Sequence, residues 1–128
     1  MDRHVDSRRP VLYVEDHPVN AMLMKALFER RPELKLVVAD SGEQALDLIA
    51  DLRPVLLLLD LRLPDCHGTQ LLPLLQRHVA DVPAVAVTAD DDFDIVDSGF
   101  AELWAKPLHL DRVLERVDAL TSPAAGVA

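Results

Sequence analysis

Residues 55–68 read VLLLLDLRLPDCHG. Val55 to Leu59 run without a polar break into Asp60. The run is too short to span a membrane and has no helical period, so it predicts a strand buried on both faces of a parallel sheet. Leu63-Pro64-Asp65 and Gly68 then end the strand. Asp60 therefore falls at the carboxyl end of a central strand, where open α/β sheets bind their ligands. A carboxylate there is a metal ligand, a nucleophile or both.

Outward from this stretch the chain alternates. Val11-Leu12-Tyr13-Val14 predicts a short buried strand ending in Glu15-Asp16. Pro18 suits the first position of a helix whose Val19, Leu23, Ala26, Leu27 and Arg30 trace one face. Leu34 to Ala39 is a second strand, and Ser41-Gly42-Glu43 opens a helix carrying Ala45, Leu48, Ile49 and Leu52 at helical spacing. A leucine-rich helix follows Gly68 and ends near His78; Pro73 inside it requires a late start or a kink. Pro83 to Thr88 is a fourth strand, and Glu102 to Ala105 a fifth, ending at Lys106-Pro107. Between them the Asp-rich segment 89–98 predicts a poor, short helix at best. Leu110, Val113, Leu114, Val117 and Leu120 line the last helix. Residues 1–9 are expected to be a polar tail, 10–121 the domain, and 122–128 a disordered tail. Strand and helix alternating in this way predict an α/β fold, a doubly wound five-stranded parallel sheet.

Composition limits the partners. The 128 residues suffice for a single hydrophobic core. With 50% apolar and only 4% aromatic residues, that core is aliphatic. A net charge of −9 argues against a nucleic-acid surface. The single Cys66 fits a reducing compartment, and no segment has the length of a membrane helix, so the expectation is a cytoplasmic protein without membrane contact.

The strand ends carry the chemistry. The first strand ends in Glu15 and Asp16, the third in Asp60, the fourth in Thr88 and the fifth in Lys106. In strand order 2-1-3-4-5 these ends converge on one pocket. Crowded carboxylates call for a hard divalent cation such as Mg²⁺, which takes oxygen ligands and keeps several waters. A lysine and a hydroxyl beside it suit a transferred phosphoryl group.

Glu15-Asp16, Asp60, Pro64 with Gly68, Thr88-Ala89 and Lys106-Pro107, in this order, resemble the receiver domain of two-component response regulators. The opening VLYVEDHPVNAMLM is similar to receivers of hybrid histidine kinases. The resemblance implies a flavodoxin-like fold and a phospho-accepting role. Asp60 would take a phosphoryl group from a phosphohistidine on a histidine kinase or a histidine phosphotransfer protein. Asp16 and Asp60 would bind Mg²⁺ with the backbone carbonyl of Arg62 and, through water, Glu15. Thr88, the backbone amide of Ala89 and Lys106 would hold the phosphoryl oxygens. Self-phosphorylation and its reversal would be the only reactions, with output through protein contact or phosphoryl relay.

The chain also departs from the family pattern. Leu103 stands where an aromatic residue usually precedes the lysine by three, with Trp104 beside it. Thr88 and Lys106 are closer than is typical by about one helical turn, roughly four residues, so the fourth helix is expected to be shortened. His17 replaces a frequent Asp or Asn and is read as a cap. His109 stands where a small polar residue often caps the last helix. Arg62 and Asp90, each two residues beyond a site residue, are expected to meet over the pocket.

Two other classes remain. An aspartate-nucleophile phosphohydrolase needs an acid two residues after Asp60, where Arg62 stands. A receiver-like interaction module that is never phosphorylated usually lacks an acidic residue or the lysine, and both are present. Cys66-His67 has no second Cys/His pair at metal-ligand spacing and is read as ordinary loop.

Overall fold

Leu56–Asp60 is a strand with every residue buried, as the unbroken apolar run predicts. The computed structural model describes residues 7–90 and 92–122. In order it contains β1 (Arg9–Val14), α1 (Pro18–Phe28), β2 (Leu34–Ala39), α2 (Gly42–Leu52), β3 (Leu56–Asp60), α3 (Gly68–Gln76), β4 (Ala84–Thr88), β5 (Glu102–Ala105) and α4 (Leu110–Thr121). All pairings are parallel and the order is β2-β1-β3-β4-β5. Arg9, expected in the tail, opens β1 opposite Leu34. Of the tails expected over 1–9 and 122–128, residues 1–6 and 123–128 lie outside the described residues.

The sheet divides the core into two. One face packs Tyr13, Leu58, Val87 and Trp104 against Met24, Leu27 and Phe28 of α1 and Val113, Leu114 and Val117 of α4. The other packs Leu57, Leu59 and Ala86 against Ala45 and Ile49 of α2 and Leu71, Leu72 and Leu75 of α3.

α1 corrects one expectation. Its buried residues are Met24, Leu27 and Phe28, while Val19, Met22 and Leu23 are 50%, 59% and 56% exposed. Apolar residues occupy most of its circumference, so periodicity alone did not fix the inward face. α3 starts at Gly68 with Pro73 inside it, so of the two expected alternatives, a late start or a kink, the late start is not taken. Pro73 has no N–H for the carbonyl four residues back, one ladder bond fewer.

The β4–β5 crossover departs further. The expected short helix does not form: among its described residues, 89–101 contain no helix. The aspartates supply the reason. Asp90 Oδ1 accepts from the Asp92 amide at 3.3 Å, and Asp94 Oδ1 from the Val96 amide at 2.9 Å. Such bonds to the backbone two residues on compete with a helical ladder. Ser98 Oγ donates to the Ile95 carbonyl and accepts from the Phe100 amide. Gly99, at φ +90°, turns the chain where a side chain would press on Leu72. Phe93, Ile95 and Phe100 still cover the sheet beside α3, with Phe93 and Phe100 edge to face at 6.3 Å.

Candidate functional site

Register brings the strand ends together. Val14 pairs with Leu59, so the next residues, Glu15 and Asp60, are level. Asp60 pairs with Val87, one before Thr88, and Thr88 pairs with Ala105, one before Lys106. Asp60, Thr88, Lys106, Arg62, Ala89 and Asp90 line one pocket at the carboxyl edge of the sheet. The residues expected at the site are thus assembled from the last residues of β3 and β4 and the segments that follow β3, β4 and β5.

Asp60 is 7% exposed, and its carboxylate is held from both sides. Oδ1 accepts from the Arg62 amide at 3.1 Å, and Oδ2 from Lys106 Nζ at 3.0 Å. Lys106 Nζ also donates to Glu15 Oε1 at 2.7 Å, so one ammonium bridges two carboxylates. Burial pushes the Asp60 carboxyl above the usual carboxylate range, against the pull of Arg62 N–H and Lys106. Burial acts on Glu15 in the same sense, but bonds from Lys106, the Tyr13 hydroxyl and the His17 amide prevail and lower it. Burial would discharge Lys106, yet the two carboxylates hold its pKa above the ordinary lysine value.

A metal would find hard donors here. Glu15, Asp16 and Asp60 each offer a carboxylate oxygen, all within 4.8 Å of one another. Asp16 is exposed and Asp60 borders the pocket. Glu15 already accepts on both oxygens, from Tyr13 and Lys106 on Oε1 and from His17 on Oε2. The donor set fits an oxygen-seeking divalent cation, with Asp16 and Asp60 the carboxylates better placed to reach it.

The loops complete the pocket. Thr88 is 1% exposed and its Oγ1 accepts from the Asp90 amide at 3.0 Å. Arg62 and Asp90 meet as the sequence suggested, Nη2 to Oδ2 at 3.6 Å. Gly68 brings α3 against the strand end: its amide donates to the Leu61 carbonyl at 2.7 Å. A Cβ on Gly68 would lie 2.8 Å from the Asp60 carbonyl oxygen, so a larger residue would displace Asp60. His17 caps α1, accepting from the Val19 amide at Nδ1, whereas His109 makes no side-chain cap on α4. Cys66 is a half-buried free thiol raised by burial, consistent with an ordinary loop residue. Leu103 packs with the face of the sheet that the crossover covers, and Trp104 with the other.

Three residues escaped sequence reasoning. Tyr13 donates to Glu15, and the signal was their spacing of two on one strand, which puts both on the same face. Asp65 accepts from the Gly42 and Glu43 amides, both at 2.9 Å, and so ties the loop after β3 to the start of α2. These bonds hold its carboxyl below the usual range. His67 caps α3 at Thr69 and lies beside the Phe93 ring. For Asp65 and His67 no sequence spacing points to the contact.

Among known proteins, the pattern described as "Response regulator receiver domain" matches residues 11–118. The polar-differentiation response regulator DivK of Brucella ovis is 29% identical, covering 91% of this chain and 98% of its own. A protein-glutamate methylesterase/protein-glutamine glutaminase of Myxococcus xanthus is 31% identical over 77% of this chain. The match spans only 30% of that enzyme. Among solved structures, the receiver domain of a sensor histidine kinase from Pseudomonas aeruginosa aligns with TM-score 0.78 at 24% identity, covering 89% of this chain and 98% of its own. That structure holds a magnesium ion in its active-site cleft.

Proposed function

Since this chain belongs to the response regulator receiver domain family, we propose that Asp60 accepts a phosphoryl group from a phosphohistidine, with Mg²⁺ bound beside it. The observation that carries the reading is the buried Asp60 carboxylate paired to Lys106 in a pocket shared with Thr88 and Ala89. In the transfer, a carboxylate oxygen of Asp60 attacks phosphorus. The P–N bond breaks as the P–O bond forms, and the imidazole leaves with the electron pair and takes a proton from solvent. Lys106 faces the charge that gathers on the phosphoryl oxygens, with Thr88 Oγ1 and the Ala89 amide as further donors. Asp16 and Asp60, with the Arg62 carbonyl and, through water, Glu15, would hold Mg²⁺, which would supply charge neutralisation.

The donor is a histidine kinase or a histidine phosphotransfer protein. Val19, Met22 and Leu23 of α1 are exposed, as is Leu110 at the start of α4. Leu23 and Leu110 line a groove that reaches Lys106, so a helical partner seated there brings its histidine to the pocket. Beyond accepting and losing this group, the chain acts as a signalling module.

Incubation with acetyl phosphate and Mg²⁺, read by intact mass, tests the reading. One phosphoryl adduct is expected on the wild type, decaying with time, and none on Asp60→Asn. Labelling of Asp60→Asn at the wild-type rate, or no adduct on the wild type, overturns it.

A further inference from the structure

Tyr13 lies on β1, two residues before Glu15, with no exposed surface. Its hydroxyl donates to Glu15 Oε1 at 2.8 Å, the same oxygen that accepts Lys106 Nζ at 2.7 Å. Lys106 Nζ continues to Asp60 Oδ2 at 3.0 Å. A chain of three hydrogen bonds thus runs from the core under α1 to the proposed phospho-acceptor.

We propose that Tyr13 is a positioning residue for phosphoryl transfer: it fixes the Glu15 carboxylate so that Lys106 is aimed at Asp60. This rests on the reading of Asp60 as acceptor.

The lysine needs stiffness from its neighbours. Lysine is a point charge on a flexible four-carbon stem and takes no direction of its own. Its ammonium has three N–H groups, and fixing two of them fixes the third. Those two go to Glu15 and Asp60, and Lys106 lines the pocket beside Thr88 and Ala89. The Glu15 carboxylate is therefore the reference point for the lysine. Oε2 is held by the His17 amide at 3.1 Å, and Oε1 by Tyr13. Without the hydroxyl, Oε1 keeps only the mobile lysine, and both ends of the pair drift together.

A buried tyrosine hydroxyl needs some acceptor for its own sake, so a purely structural account must be separated from this one. Tyr13→Phe keeps the ring that fills the core and removes one oxygen atom. The rate of adduct formation from acetyl phosphate is measured across Mg²⁺ concentrations in wild type, Tyr13→Phe, Lys106→Ala and the double variant. Tyr13→Phe should lower the rate at saturating Mg²⁺ roughly fivefold, the scale of one hydrogen bond. Any shift in the half-saturating Mg²⁺ concentration, transmitted through Glu15, should be smaller than the loss of rate. In the Lys106→Ala background, Tyr13→Phe should have no further effect. A wild-type rate in Tyr13→Phe overturns the inference. So does a shift confined to the half-saturating Mg²⁺ concentration, or the same fold-loss with and without Lys106. Absence of any adduct on the wild type is a different failure, that of Asp60 as acceptor.

Discussion

The carboxylate cluster at the ends of β1 and β3 and the crossover from β4 to β5 meet at one pocket, through Asp60 and through Ala89 and Asp90, yet they are held by different bonds. On the first side, residues distant in sequence are joined: Lys106 bridges Glu15 and Asp60, and all three stand at the ends of different strands. On the second side nearly every polar bond closes within a few residues, as at Asp90–Asp92, Asp94–Val96 and Ser98–Ile95. The crossover joins the fold through apolar contact, by Phe93, Ile95 and Phe100. The difference teaches that a sheet face needs apolar cover, and that a helix is only one way to provide it. Chemistry, by contrast, needs the long-range register that only the strands supply.

The strongest way to break this comparison is to remove the crossover's anchor. Phe100 is almost wholly buried, and Phe100→Ala should cost about 3 kcal/mol by denaturant titration, as much as a core position on α3. A loss below about 1 kcal/mol would mean that the crossover is not part of the core.

A second test sharpens the charged side. Burial raises the Asp60 carboxyl, so its ionised form costs stability above its folded pKa. That cost shrinks as pH falls through the folded pKa and is gone below the lower, unfolded value. Glu15 is lowered, so it contributes stability above its unfolded pKa and loses it as pH falls through the folded value. Thermal unfolding near neutral pH should therefore show Asp60→Asn above wild type and Glu15→Gln below it. Both differences should fade in acid. Shifts of the same sign in the two variants would contradict the assignment.

The smallest effect on stability belongs to the pair that spans both sides. The Arg62 and Asp90 side chains are 79% and 38% exposed, so Arg62→Ala should change stability by less than about 0.5 kcal/mol. If the pair covers the approach of water to phosphorus, the same variant should shorten the phosphorylated lifetime several-fold. Equal dephosphorylation half-lives in wild type and variant would remove that role.

What the sequence discloses follows the same divide. Val55–Asp60 announces a buried strand by composition alone, and the residues after each apolar run mark the pocket before any geometry is known. Glu15, Asp60, Thr88 and Lys106 are legible because each strand end is punctuated by a change from apolar to polar. The crossover is opaque because its aspartates have two competing uses, as helix starts and as acceptors for the backbone two residues on, and local sequence does not choose between them. The inward face of α1 was hidden for another reason: Val19, Met22 and Leu23 look like core residues and are left outside. Within its apolar run Tyr13 is marked only as a buried strand residue, and the bond from its hydroxyl to Glu15 appears only in the fold.

Trp104 is the sole tryptophan of the chain. It lies two residues before Lys106, buried on the face shared with α1 and α4, with its indole N–H on Glu102, a carboxylate also gripped by Arg116. The protein's own ultraviolet emission therefore has one main source, set at the end of β5. Light from that indole can follow events at the lysine without any added dye, whereas rearrangement of the crossover, on the opposite face of the sheet, stays dark to it.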